Sequence, residues 1–219
     1  MVNKILRYAI HSPNCKLDNK MPGVIDLTDE IPEVYSNYQY NEHHWTTNYI
    51  WNTFIPRLSN DLSLQFNIKD YKKITHITDG NDLSYYMPIT NETVVVNDLF
   101  YKTTVSLPIS DTAYNKNYKS YLGCFTDYHK LFICAHRCAH ISNKSSITKR
   151  NLLLNTDSMS VPVMPFLMHN FTNILILDNR TDYSYSTQIN DFCKHDNLTY
   201  MELFIADSYN MHKYATNIK

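Results

Sequence analysis

Two short stretches decide how this chain is read. Tyr71–Gly80 runs YKKITHITDG, and Ile133–Asn143 runs ICAHRCAHISN. Each ends an apolar run with a His-x-hydroxyl triplet: His76-Ile77-Thr78 in the first, His140-Ile141-Ser142 in the second. On a strand, residues i and i+2 point to the same side. His76 and Thr78 therefore share a face, as do His140 and Ser142. If the two strands are neighbours, two imidazoles and two hydroxyls converge on one pocket.

That constellation suits metal-free phosphodiester chemistry. A neutral histidine takes a proton from an attacking hydroxyl, and a protonated one gives a proton to the departing oxygen. An ordinary imidazole, titrating near ~6.5, shares both roles around neutral pH. Thr78 and Ser142 would donate to the non-bridging phosphate oxygens. A lone histidine of this kind is more often bonded to a backbone carbonyl, so the pairing carries the reading.

The flanking pattern predicts an α+β chain. Residues 72–78, 92–109, 129–142, 172–180 and 198–208 read as strands. "ETVVVNDLFYKTTVSLPI" suggests two of them meeting near Asn97-Asp98. Trp45, Tyr49, Leu58 and Leu62 fall at roughly helical spacing, with Pro56 starting, breaking or kinking a helix. Tyr114, Tyr118 and Tyr121 suggest another helix. "LLLNTDSMSVPVMPFLMHN" holds two prolines and no clean period. "LRYAIH" near the start reads as a strand followed by a loop. The order implies a mainly antiparallel sheet with helices on its outer side.

Composition narrows the functions. With 219 residues the chain suits one domain, and a net charge of −1 argues against a surface that tracks long nucleic acid. Only 3 glycines occur, so there is no dinucleotide-binding Gly-x-Gly-x-x-Gly, no phosphate loop and no Gly-x-Ser-x-Gly elbow. No run approaches the ~18 apolar residues of a membrane span, and the first residues show no signal-peptide pattern. The 5 cysteines, an odd number, read as free thiols in a reducing cytoplasm. Asn, Lys, Ile and Tyr abound, and their codons are AT-rich, which hints at a genome such as that of a large DNA virus.

Cys134, His136, Cys138 and His140 alternate and suggest zinc by type. Side chains two apart on a strand lie nearly ~7 Å apart, too far for four in a row to close on one ion. No metal and no cofactor is expected. His43-His44 beside Trp45 reads as a loop metal site, a ligand contact or, more ordinarily, the exposed edge of a helix.

The two triplets resemble those of the 2H phosphoesterases, the LigT-like family. The matching residues are His76 and Thr78 in "ITHIT", and His140 and Ser142 in "CAHIS". The resemblance spans roughly residues 44–205 of a single domain, 1–219, and leaves 1–43 as an N-terminal extension. It implies two antiparallel sheets around a central cleft with helices outside. It implies His76 and His140 as catalytic acid and base, and Thr78 and Ser142 as phosphate binders. Tyr85, Tyr86 and Tyr128 are candidates for stacking on a base, with core or sheet-surface roles as the ordinary alternative.

By the same resemblance the substrate is a small nucleotide messenger. Best placed is 2',3'-cyclic GMP–AMP, whose destruction would serve a virus evading cytosolic DNA sensing; next is 2',5'-oligoadenylate. An RNA-end 2',3'-cyclic phosphodiesterase and a non-catalytic nucleotide sponge remain as alternatives. The expected location is the cytoplasm, with no membrane partner.

Overall fold

The computed structural model describes residues 2–10, 25–26, 45–74, 77–78, 81–82, 85–98, 102–107, 138–178 and 185–205. It is a mixed α and β fold built on one eight-stranded sheet. The strands are β1 (Val2–Ile10), β2 (Ile25–Asp26), β3 (Tyr71–Ile74), β4 (Ile77–Thr78), β5 (Asn81–Asp82), β6 (Tyr85–Pro88), β7 (Glu92–Asp98), β8 (Lys102–Leu107), β9 (Ala139–Asn143), β10 (Asn151–Thr156), β11 (Asn173–Leu177) and β12 (Leu198–Ile205). The main sheet has the order β2-β1-β12-β10-β11-β9-β7-β8, and β3-β6 and β4-β5 form separate two-stranded ribbons.

The main sheet is mixed rather than antiparallel. β2, β1, β12, β10 and β11 run parallel, while β9, β7 and β8 extend it in antiparallel pairs. Parallel strands are covered on both faces and read as continuous apolar runs. Every residue of β10 is buried, which is why its Leu152-Leu153-Leu154 shows no alternation. β1, from the segment set outside the core on sequence, is an interior strand paired with β12 along its length.

The two faces are covered differently. On the first, Leu6, Tyr8, Val94, Val96, Ile141, Leu152, Leu154, Ile174, Ile176, Met201 and Leu203 meet α1 (Thr47–Tyr49), α2 (Ile55–Leu62) and α3 (Met164–Asn170). On the second, Cys138, Leu153, Leu175, Leu177, Leu198 and Tyr200 meet α4 (Ser186–Phe192) through Tyr185, Ile189 and Phe192.

Between α1 and α2 the backbone widens into a π-helical turn, Ile50–Phe54. Pro56 is the cause: it has no N–H, and its ring would collide with the carbonyl four residues back. Ile55 instead donates to the Ile50 carbonyl, five residues back. α2 then ends at Ser63, in the left-handed region at φ 54°, a place glycine usually takes. Leu64 N–H closes on the Ser59 carbonyl at 2.8 Å. Among the described residues no helix is long and apolar enough to cross a membrane.

Candidate functional site at the carboxyl edge of the parallel strands

The described residues of the sequence-predicted site lie on different strands. Thr78 lies in β4, whose partner is β5; His140 and Ser142 lie in β9, whose partners are β7 and β11. Thr78 and Ser142 thus belong to different sheets. His76 and Tyr128 lie outside the described residues. Tyr85 stands in β6 opposite Ile74. Tyr86 is stacked on Trp51 at 4.9 Å, within the aromatic cluster of Trp51, Phe66 and Tyr71.

On β9, Asn173 organises the second triplet. Ser142 Oγ donates to Asn173 Oδ1 at 3.0 Å, and Asn173 Nδ2 donates to Asn151 Oδ1 at 2.8 Å. His140 also bonds Asn173, but its Nε2 is buried with no hydrogen-bond partner. Burial holds the His140 ring below the usual histidine range; the Asn173 bond opposes this and nearby His195 adds to it. Burial also pushes the Cys138 thiol up to about 11, which keeps it a protonated thiol. Among the described residues no three His, Cys, Asp or Glu side chains are grouped to hold a metal ion.

A second location is marked by topology. From the carboxyl end of β10 the chain passes through Asp157 into the short turn Ser158–Val163 and on to α3, on the first face. From the carboxyl end of β11 it passes through Asp178 to α4, on the second face. The connections of two adjacent parallel strands therefore part to opposite sides. Such a divergence at the carboxyl edge is the usual place for ligands in open sheets with parallel strands. Ser158 stands at its β10 side.

Buried polar groups gather at this edge. Asp157 and Asp178 are buried, as are Asn155 and Glu202, which face each other across β10 and β12. Tyr200 hydroxyl donates to Glu202 at 2.5 Å and receives a long bond from Asn155 at 3.5 Å. Thr156 Oγ1 donates to the Leu203 carbonyl at 2.6 Å, and Tyr185 hydroxyl donates to the Asp178 carbonyl at 3.4 Å. Such satisfied buried groups fix strand ends in one geometry.

The same edge leads by way of β12 and β1 to Trp45. Thr156 is opposite Leu203, and Leu203 is opposite Tyr8. The Tyr8 ring meets Phe54 at 5.6 Å, and Phe54 meets Trp45 at 5.1 Å. Trp45 is fully buried there and directly follows His44. β10 and β1 are two strand spacings apart, about 10 Å. Glu42, His43 and His44 themselves lie outside the described residues.

No protein-family model matches the chain, and no curated protein matches it by sequence. Solved structures do match its fold. PatB1 of Bacillus cereus aligns with a TM-score of 0.64 at 17% identity, over 94% of this chain and 83% of that one. PatB1 with a sulfonyl adduct aligns at 0.63 and 16% identity, over the same shares. A DHHW family protein from Eubacterium siraeum aligns at 0.58 and 16% identity, over 94% of this chain and 78% of that one. At such identities the likeness is one of fold.

Proposed function

We propose that this protein is a serine-dependent acyl-ester hydrolase or acyltransferase whose nucleophile is Ser158. The observation that carries the reading is the place of Ser158 at the carboxyl edge of β10, where the β10 and β11 connections part. Two features of the structures that share this fold support it. PatB1 accepts a sulfonyl adduct, and sulfonyl electrophiles are taken by activated nucleophilic side chains. The letters of the DHHW family name, read as residues, are Asp-His-His-Trp; this chain has Glu42-His43-His44-Trp45.

In this reading His44 is the base and Glu42 its orienting carboxylate. Ser158 Oγ attacks the ester carbonyl as its proton passes to His44. The alcohol leaves with that proton, and the acyl group stays on Ser158. Water or another hydroxyl then takes the acyl group, giving its proton back through His44. Trp45, the residue after His44 in sequence, is held in the core against Phe54.

The test is labelling with a sulfonyl fluoride followed by peptide mass mapping, beside hydrolysis of p-nitrophenyl acetate. Wild type takes one sulfonyl group at Ser158. Ser158→Ala takes none and loses at least about 10³-fold in rate, with His44→Ala close behind. A folded wild type that neither labels nor hydrolyses, or a Ser158→Ala that does both, overturns the reading.

The two-histidine phosphodiesterase stands as a second proposal. Among the described residues it rests on one observation, the hydrogen-bonded His140–Asn173–Ser142 unit with a free Nε2. It predicts cleavage of 2',3'-cyclic GMP–AMP or 2',5'-oligoadenylate that survives EDTA and is lost in both His76→Ala and His140→Ala. Intact nucleotides with folded protein would sink it.

A further inference from the structure

His140 sits under α4 in an arrangement the serine-dependent activity does not use. Its ring meets Phe192 edge-on at 5.7 Å, and Phe192 meets His195 at 5.1 Å. Its Nε2 is sealed with no acceptor. Across β7 it faces Asn97, and across β11 it faces Leu175, with Asn173 as its bonded neighbour. Cys138 precedes it on the same side of β9. From α4 and the turn after it come Phe192, Asp191, Lys194, His195 and Asp196. Asp191 is exposed and bonded to Lys194 at 2.7 Å. α4 itself is held to the sheet by Tyr185, Ile189 and Phe192, and most of its other side chains are exposed.

We propose that α4 is a proton-released cover: when His140 takes a proton, the helix lifts from the second face of the sheet. A proton added in place would put a charge on a ring with no acceptor at Nε2 and a second imidazole close by. Such a buried, unpaired charge is strongly disfavoured. Lifting Phe192 lets water reach the ring and relieves it. The movement uncovers Leu153, Leu175, Leu177 and Tyr200. It also frees Tyr185 from the Asp178 carbonyl, so one side of the carboxyl edge loosens in acid.

The test is hydrogen exchange of the full chain between about pH 7.5 and pH 5.5, corrected for intrinsic amide chemistry. One histidine of ordinary affinity in the opened state raises the open population about tenfold over that interval. Exchange over 186–195 should rise by about that factor while 55–62, in α2, stays level. His140→Gln, checked for fold by circular dichroism, should flatten the rise to within about twofold. An equal rise in α2 and α4 in wild type, or an undiminished rise in His140→Gln, overturns the proposal. The wild-type comparison decides the matter even if the variant does not fold.

Discussion

The two faces of one sheet are built to different standards. The first carries Trp45, Trp51, Phe54 and Phe166, all fully or almost fully buried, under three helices. It also carries a buried polar knot. Glu92 accepts from Thr90 at 2.6 Å and from Asn143 at 2.6 Å, and it is paired with His169 of α3. Asn143 also donates to the Met168 carbonyl at 2.8 Å, so β7, β9 and α3 are tied together. Among the described residues the second face carries one seven-residue helix and an imidazole whose Nε2 has no partner. Rigid covering and loose covering thus coexist across a single layer of strands, which teaches that local stability here is set by the cover rather than by the sheet.

Substitutions can break that contrast. Trp51→Ala should cost the most, about 4 kcal/mol, because it opens a cavity among Phe66, Tyr71 and Tyr86. Denaturant melts would read it, and a cost below that of Phe192→Ala would overturn the ranking of the faces. Glu92→Gln comes next, at about 3 kcal/mol, since it leaves His169 facing a neutral partner in the core. Its pH signature is separable. Burial pushes the Glu92 carboxyl up, but the bonds from His169, Thr90 and Asn143, with the His169 charge, outweigh it and the net shift is down from 4.5. Its stabilisation is therefore full above about 4.5 and is lost as pH falls through the lower folded value. Wild type should lose stability there, and Glu92→Gln should show a flatter acid limb.

How much of this could be read beforehand differs by element. β7, β8, β9, β11 and β12 were legible because β-branched or apolar runs end at Asn, Asp or Gly. α1 and α2 were legible from the spacing of Trp45, Tyr49, Leu58 and Leu62. β10 was not, since a strand buried on both faces does not alternate, and the segment from Leu152 through its two prolines shows no clean period. Parallel pairing was hidden for a related reason. It depends on crossovers that place α3 and α4 on opposite faces, and no residue type marks a crossover. Ser158, the proposed nucleophile, carries no glycine signature, and the recognisable pattern is a serine between glycines. This chain has Asn155-Thr156-Asp157-Ser158 there instead. His140 and Ser142 were visible as residues sharing a side, but what covers His140 came only with α4.

Two smaller effects sharpen the comparison on the loose face. Phe192→Ala should cost about 2 kcal/mol, less than Trp51→Ala, because α4 can settle and water already reaches most of it. It should also return His140 toward ordinary titration, since burial is the main cause of the downward shift. The sign matters here. A histidine held neutral in the folded state leaves stability full above about 6.5 and lets it decline below, until the folded ring itself takes a proton. In Phe192→Ala that decline should shrink, and a pH–stability profile as steep as wild type would show that Phe192 is not what seals the ring. Asp191→Ala is the control. Its exposed pair with Lys194 is worth no more than about 0.5 kcal/mol, so both the melt and the acid limb should match wild type. If Asp191→Ala instead steepens the acid limb, the exposed carboxylate is reaching the histidines, and charge pairing rather than burial holds α4 in place.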